Sequence, residues 1–234
     1  MNANFSELLA SLSTPDLADA CLRVGAPVRC APAGVTGVQR GMRCAGRALP
    51  VRHVGSVDVF LEALEHARPG EVLVVDNGGR LDEACIGDLV TLEVQKAGLH
   101  GIVIWGLHRD TDELVSIGLP LFSLGTMTTG PQRLDPCPAD SMKSARVGHW
   151  NITQQDVVAC DSDGVLFMPE EQLQEIRVAA TNIRETERQQ AEKMRAGISL
   201  REQTRFAEYL SARAVNSSVG FREHLRRLGR AIEE

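Results

Sequence analysis

Apolar positions along the chain change their period several times. Leu17, Ala20, Cys21 and Val24 recur at helical steps after Ser13, Thr14 and Pro15, and Gly25 follows. That spacing predicts a capped helix stopped by glycine. Over 27–54 the pattern shortens to strand-like runs cut by Gly and Pro, such as "GVTGVQRG" and "MRCAGRALPVRHV". "SVDVFLEALEHARPG" returns to helical spacing and ends on a Pro-Gly turn signal. The next segments alternate: "EVLVVDNGG" as a strand entering a Gly-rich loop, "GDLVTLEVQKAG" as a helix, "LHGIVIWG" as a strand, "DTDELVSIG" as a short helix and "LPLFSLG" as a strand. Alternation of this kind predicts an α/β fold with a largely parallel sheet segment.

Beyond the polar, Pro-rich "MTTGPQRLDPCPADS", the stretch "SARVGHWNITQQDVVACDSDGVLFMP" predicts short hairpins, with "DSDG" turning between "VVAC" and "VLFM". From Pro169 the chain changes character. A long helix is predicted to Gly197, with Leu173, Ile176, Ala180 and Ile183 as an apolar stripe on its first half and an almost wholly polar second half. Two further helical pieces follow, "SLREQTRFAEYL" and "GFREHLRRLGRAIEE". Residues 1–168 therefore read as an α/β domain and 169–234 as a helical extension.

Composition narrows the function classes. A chain of 234 residues, 43% hydrophobic and 24% charged, is ordinary for a folded protein and can bury a sizeable core. A formal charge of −6 argues against a general nucleic-acid or anionic-membrane binder. No apolar run approaches the length of a membrane span, and "MNANFSELLASLSTPDLADA" lacks the layout of a signal peptide, so a cytoplasmic protein is expected. The six cysteines form no CxxC pair, which predicts reduced, mostly buried thiols rather than a zinc site.

The chemistry concentrates in "GDLVTLEVQKAGLHGIVIWGLHRD", residues 87–110. A helix starting near Asp88 and ending at Gly98 spans about 15 Å. The return strand from His100 to Gly106 covers about 20 Å in the opposite direction. Asp88 should then face Arg109 and Asp110 across a cleft. Free amides at a helix start favour a carboxylate or phosphate. Ligands of open α/β sheets also collect beyond the carboxyl ends of strands. Two acids and an arginine there can hold Mg²⁺ or Mn²⁺ beside an anionic substrate. The same residues also fit a plainer reading, with Asp88 as a helix cap and Arg109–Asp110 as a solvated pair opening the next helix.

Asp88, twenty intervening residues, Arg109–Asp110 and then Glu113 resemble the pattern of aldolase members of the RraA-like family, which includes 4-hydroxy-4-methyl-2-oxoglutarate and 4-carboxy-4-hydroxy-2-oxoadipate aldolases. "PGEVLVVDNGG", "AGLHGIVIWGLHRDTDEL", "IGLPLF" and "DSDGVLFMP" are similar to the family too, and the likeness covers roughly residues 14–200. The resemblance implies a swivelling β/β/α domain, here with a long C-terminal helical extension, assembled as a homotrimer or hexamer with active sites between subunits. It implies that Asp110 binds Mg²⁺ or Mn²⁺ and that Asp88 holds a water of the metal's shell. Gly87, Leu89 and Val90 would receive a pyruvate carboxylate, and Arg109 would contact the keto oxygen. Glu185 or Glu187 of a neighbouring subunit would complete the water shell.

The implied activity is a metal-dependent, class II type cleavage of a 4-hydroxy-2-oxo acid to pyruvate and a second carbonyl compound. Oxaloacetate decarboxylation through the same enolate is a natural companion. No lysine stands in the motif for a Schiff base; Lys96 falls late in its helix. The family's founding member instead regulates a ribonuclease by binding it, so a non-catalytic protein-binding module is the alternative. Trp105, His108 and "VGHWNITQQD" with His149 depart from the family pattern, and "MTTGPQRLDPCP" is a distinctive insert.

Overall fold

The computed structural model describes residues 5–228; the end of the expected helical piece "GFREHLRRLGRAIEE" lies outside them. Helices α1 (Phe5–Leu9) and α2 (Thr14–Val24) precede two short strands, β1 (Arg29–Cys30) and β2 (Thr36–Gly37), and the long β3 (Cys44–Arg52). Then come α3 (Asp58–Glu65), β4 (Val72–Asp76), β5 (Ala84–Ile86), α4 (Asp88–Lys96), β6 (Gly101–Trp105), β7 (Leu107–His108), α5 (Thr111–Ile117) and β8 (Leu121–Ser123). Strands β9 (Ser144–Val147), β10 (Trp150–Thr153), β11 (Asp156–Asp161) and β12 (Gly164–Pro169) follow. The chain continues as α6 (Leu173–Arg195), α7 (Leu200–Gln203), α8 (Phe206–Val215) and α9 (Phe221–Arg227).

Eight strands form the main sheet in the order β1-β12-β11-β3-β4-β6-β8-β2. Strands β3, β4, β6 and β8 run parallel, as the alternation of elements predicts; the outer pairings are antiparallel. Strand β2, at one end of that order, touches β12 near the other, so the sheet curls towards a barrel. Strand β3 belongs to both halves. Its first residues pair with β11 and its last with β4.

The sequence reading of 27–54 as short broken strands holds for β1 and β2 and is corrected for β3, which runs unbroken for nine residues. Gly46 does not interrupt it because a side chain there would collide with the Gly70 carbonyl, so glycine is the residue that lets the strands close. Pro50 lies past the stretch paired with β11, where its missing N–H breaks no antiparallel ladder.

Alternate side chains of the sheet enter two layers. Leu49, Val51, Leu73, Val75, Ile102 and Ile104 pack against α3, α4 and α5 through Phe60, Val94 and Leu114. On the other face, Ala48, Val72, Val74 and Val103 meet the β9–β10 hairpin through Ala145, Val147 and Ile152. A third cluster joins α1, α2 and α6 to the antiparallel strands, and it contains all four residues of the predicted stripe on α6.

Ser13 and Asp16 form a capping box on α2, and Gly25 closes it with φ of 74°. The expected single helix "SLREQTRFAEYL" is two, α7 and α8, split at Arg205, whose φ is 48°. The split lets Phe206, Tyr209, Phe221 and His224 stack into a small aromatic cluster. The six cysteines are free and four are buried; burial pushes the Cys21 thiol up to about 11. Among the described residues no helix is long and apolar enough to cross a membrane.

Candidate functional site

Two very short parallel strands set the site. β5 pairs with β7, Ala84 opposite Leu107 and Ile86 opposite His108. Both strands end at the same level, so the residues that follow, Gly87–Asp88 and Arg109–Asp110, emerge side by side. The Arg109 amide bonds the Ile86 carbonyl at 3.0 Å and fixes that register. The convergence inferred from helix and strand lengths is thus present. Its immediate cause, the β5–β7 pair, was not legible: "ACI" is too short to show a period, and "LH" reads as the tail of the preceding strand.

Gly87 is the N-cap of α4 and has no side chain with which to cap it. Asp88 is therefore the first helical residue rather than the cap. The Asp88 amide donates to Asp110 Oδ2 at 3.4 Å, and the Leu89 amide donates to Asp88 Oδ1 at 2.7 Å. Asp110 Oδ2 also lies 3.3 Å from Arg109 Nε. A side chain at Gly87 would overlap that oxygen, so its lack of a Cβ is a condition of the arrangement. Asp110 itself caps α5 in the left-handed region, with φ 60° and ψ 44°, a conformation Asp tolerates better than most residues. His108 and Thr111 hold this turn: His108 Nδ1 meets Ser123 Oγ at 2.7 Å and Nε2 meets Thr111 Oγ1 at 3.1 Å.

A cleft of about 300 Å³ opens over α4's start, lined by His53, Val57, Gly87, Asp88, Leu89 and Arg109 among others. Arg109's side chain is 49% exposed and Asp110's 34%, so both reach solvent. The arrangement can orient a carboxylate on helix amides and present a guanidinium to a second oxygen. Glu113 sits exposed in the first turn of α5. Glu185 and Glu187 are exposed on α6, which packs against α2, and burial plus Asp16 and Asp19 raises the Glu187 pKa. No contact within the chain joins either glutamate to Asp110 among the described residues. Nor does any group of three or more His, Cys, Asp or Glu able to hold a metal assemble there within one chain.

Of the departures noted in the sequence, His108 is buried in its hydrogen-bond network and lies outside the cleft lining. Trp105 packs over Gly79, and His149 is exposed beside the β9–β10 turn. A second network went unseen in the sequence. His53 Nδ1 lies 2.9 Å from Asn77 Oδ1, Arg133 Nη2 donates to the same oxygen at 3.1 Å, and Arg133 clasps Glu83 at 2.9–3.2 Å. Burial pulls the Arg133 guanidinium down, yet its bonds to Glu83 and Asp135 outweigh this and raise its pKa. A cavity of about 630 Å³ lies beyond this network, lined by Arg52, His53, Asp76, Asn77, Arg133 and Arg146 among others. The only sequence signal was the insert that carries Arg133.

Comparison with known proteins settles the family. The family model RraA-like, described as aldolase/RraA, matches residues 14–167. The chain belongs to the RraA-like family. A Pseudomonas putida protein named "Putative 4-hydroxy-4-methyl-2-oxoglutarate aldolase" is 34% identical over 129 residues, 53% of this chain and 75% of that protein. Protein DlpA of Legionella pneumophila is 31% identical over 121 residues, half of this chain but 19% of DlpA. Several curated relatives are matched over less than two thirds of their own length, as with the 65% of the Pseudomonas fluorescens protein of the same aldolase name.

Among solved structures, an uncharacterized protein from Pseudomonas syringae pv. tomato aligns with a TM-score of 0.71 at 26% identity, covering 84% of this chain and 94% of that one. Streptomyces coelicolor RraAS2, described as an unusual member of the RNase ES inhibitor RraA protein family, aligns with a TM-score of 0.69 at 24% identity, covering 83% and 98%. The RraA-like fold is therefore common to relatives named for catalysis and for inhibition. The swivelling β/β/α domain of this chain carries, in addition, the long helix α6.

Proposed function

We propose that this RraA-like protein is a divalent-metal-dependent lyase that cleaves a 4-hydroxy-2-oxo acid to pyruvate and a second carbonyl compound. One observation carries the reading: Arg109 lines the open cleft over the start of α4, and Asp110 stands beside it, 3.3 Å from the Arg109 guanidinium and 3.4 Å from the Asp88 amide. The aldolase names of relatives at 34% identity support it.

The donor set fits Mg²⁺ or Mn²⁺, hard cations that keep several waters and need only one or two carboxylates. Asp110 would hold the ion directly and Asp88 through water. Glu185 or Glu187 from a neighbouring copy would add a third acid, with assembly as a trimer or hexamer. When bound, the cation supplies Lewis-acid polarisation of the 2-oxo group.

The chain's own residues do the rest. Amides at Gly87, Leu89 and Val90 take the substrate carboxylate, which replaces the Asp88 oxygen now on Leu89. Arg109 orients the 2-oxo oxygen and stabilises the enolate formed as the C3–C4 bond breaks. Asp88, released from Leu89, orients water in the cleft. Oxaloacetate loses carbon dioxide through the same enolate and is the expected second substrate.

Pyruvate release from 4-hydroxy-4-methyl-2-oxoglutarate and from oxaloacetate, with and without EDTA, tests the proposal. Turnover that EDTA abolishes and Mg²⁺ or Mn²⁺ restores is expected. Absent turnover, or turnover indifferent to EDTA, refutes it. The second reading, a non-catalytic ribonuclease-binding module, rests on the fold likeness to RraAS2. A ribonuclease pull-down by a catalytically silent protein would favour it.

A further inference from the structure

The cleft over α4 and the larger cavity beyond it share one side chain, His53. It follows β3, stacks flat on Phe60 with ring centroids 5.2 Å apart, and is 4% exposed. Its hydrogen bonds dictate its tautomer. Arg133 Nη2 can only donate, so the Asn77 atom it meets at 3.1 Å is the carbonyl oxygen. That same oxygen lies 2.9 Å from His53 Nδ1, so Nδ1 must carry the proton. In the neutral ring the lone pair then sits on Nε2, which has no hydrogen-bond partner among the described residues. The ring is thus clamped with its basic nitrogen uncommitted, and the residue lines the cleft that also holds Asp88 and Arg109.

The clamp comes from the insert. Arg133 is held by Glu83 and Asp135, and the Asp135 amide bonds the Val54 carbonyl at 2.9 Å, so the insert is stitched to the residue after His53. Gly55 permits this closeness, since a side chain there would collide with the Arg133 carbonyl.

We propose that His53 Nε2 is the base that takes the 4-hydroxyl proton of the substrate during C3–C4 cleavage. This rests on the lyase reading above and adds to it a residue that reading does not use. As the proton moves to Nε2, the hydroxyl oxygen becomes the carbonyl of the departing product. The C3–C4 electron pair becomes the pyruvate enolate, whose oxygen faces Arg109. The proton on Nε2 then passes to C3, which yields pyruvate and returns the ring to neutral. No net proton or electron is left over.

The surroundings favour the neutral ring this needs. Burial lowers the pKa of His53, opposed by its Asn77 bond; Arg133 lowers it further, while Glu83, 4.0 Å from Nδ1, and Asp58 raise it.

Oxaloacetate provides the control, because its decarboxylation has no hydroxyl proton to remove. In His53→Gln the ratio of retro-aldol to decarboxylation turnover is expected to fall about a hundredfold. A ratio unchanged from wild type, with both activities falling together, overturns the role of His53 and leaves the lyase reading standing. Wild-type protein active on neither substrate defeats the lyase reading, and the His53 role with it. A measurement on unmodified protein guards against a misfolded variant: ¹⁵N imidazole spectra at pH 7.5 should show His53 as the Nδ1–H tautomer. A ring protonated on Nε2 there, alone or together with Nδ1, overturns the proposal.

Discussion

Asp161 and Asp110 stand at or just past the ends of strands, and their surroundings differ completely. Asp161 closes β11 in the antiparallel half. Its carboxylate accepts from the Thr14 amide at 2.7 Å, the Thr14 hydroxyl at 2.6 Å and the Asp163 amide at 3.0 Å, and the residue is 8% exposed. Asp110 follows β7 on the parallel side, where its contacts are 3.3 and 3.4 Å and a third of its side chain is open. Antiparallel strands return through tight turns, so a carboxylate there is drawn into local hydrogen bonds. Parallel strands end in loops that lead on to helices, so a carboxylate there can stay uncommitted. Asp161 pins α2 to the sheet; Asp110 is free to act on something else.

Exchanging the two roles should give opposite phenotypes. Asp110→Ala and Arg109→Ala are each expected to lower pyruvate release by at least about 10²-fold, with melting temperatures near wild type. Asp161→Ala should do the reverse. Its loss strands buried donors at about 1–3 kcal/mol each, so the melting temperature falls by several degrees while turnover per folded molecule survives. Equal thermal loss in Asp110→Ala and Asp161→Ala would break the comparison.

Smaller changes sharpen it. Ile176→Ala, in the core beneath α6, should cost about 2–5 kcal/mol in denaturant unfolding and leave KM unaltered. Gly87→Ala adds a methyl where Asp110 Oδ2 sits, so turnover should drop about tenfold with little thermal effect. Acid should have a modest effect of its own. Burial lowers the pKa of both His53 and His108 in the folded chain. The unfolded chain therefore takes up their protons first, near its ordinary value of about 6.5. Their contribution to stability is complete above that pH and is lost as pH falls through the lower folded values. Urea midpoints from pH 7.5 to 5 check this, and a midpoint rising on acidification would contradict it.

The alternation of strands and helices from Asp58 to Ser123 was legible because each element shows its own period, and the α6 stripe was legible for the same reason. Asp88, Arg109 and Asp110 could be brought together on paper because the lengths of α4 and β6 nearly cancel. Local pattern did not reveal β3 as continuous, since Gly46 and Pro50 read as breaks until the partner strands are known. The break at Arg205 was equally hidden, because a left-handed arginine leaves no compositional trace. His53 was passed over for a different reason. Its chemistry depends on Asn77 and Glu83 of one loop and on Arg133 of the distant insert, which meet it only when folded.

Strand β3 is shared between the two halves, and that has a consequence for the order in which the protein is made. Its second half meets β4, which in turn meets β6, soon after these strands leave the ribosome. Its first half must wait for β11, more than a hundred residues further along. During synthesis one flank of the nascent sheet therefore stays open until the last hairpin arrives, and closure of that seam is the late, slow event to look for in refolding.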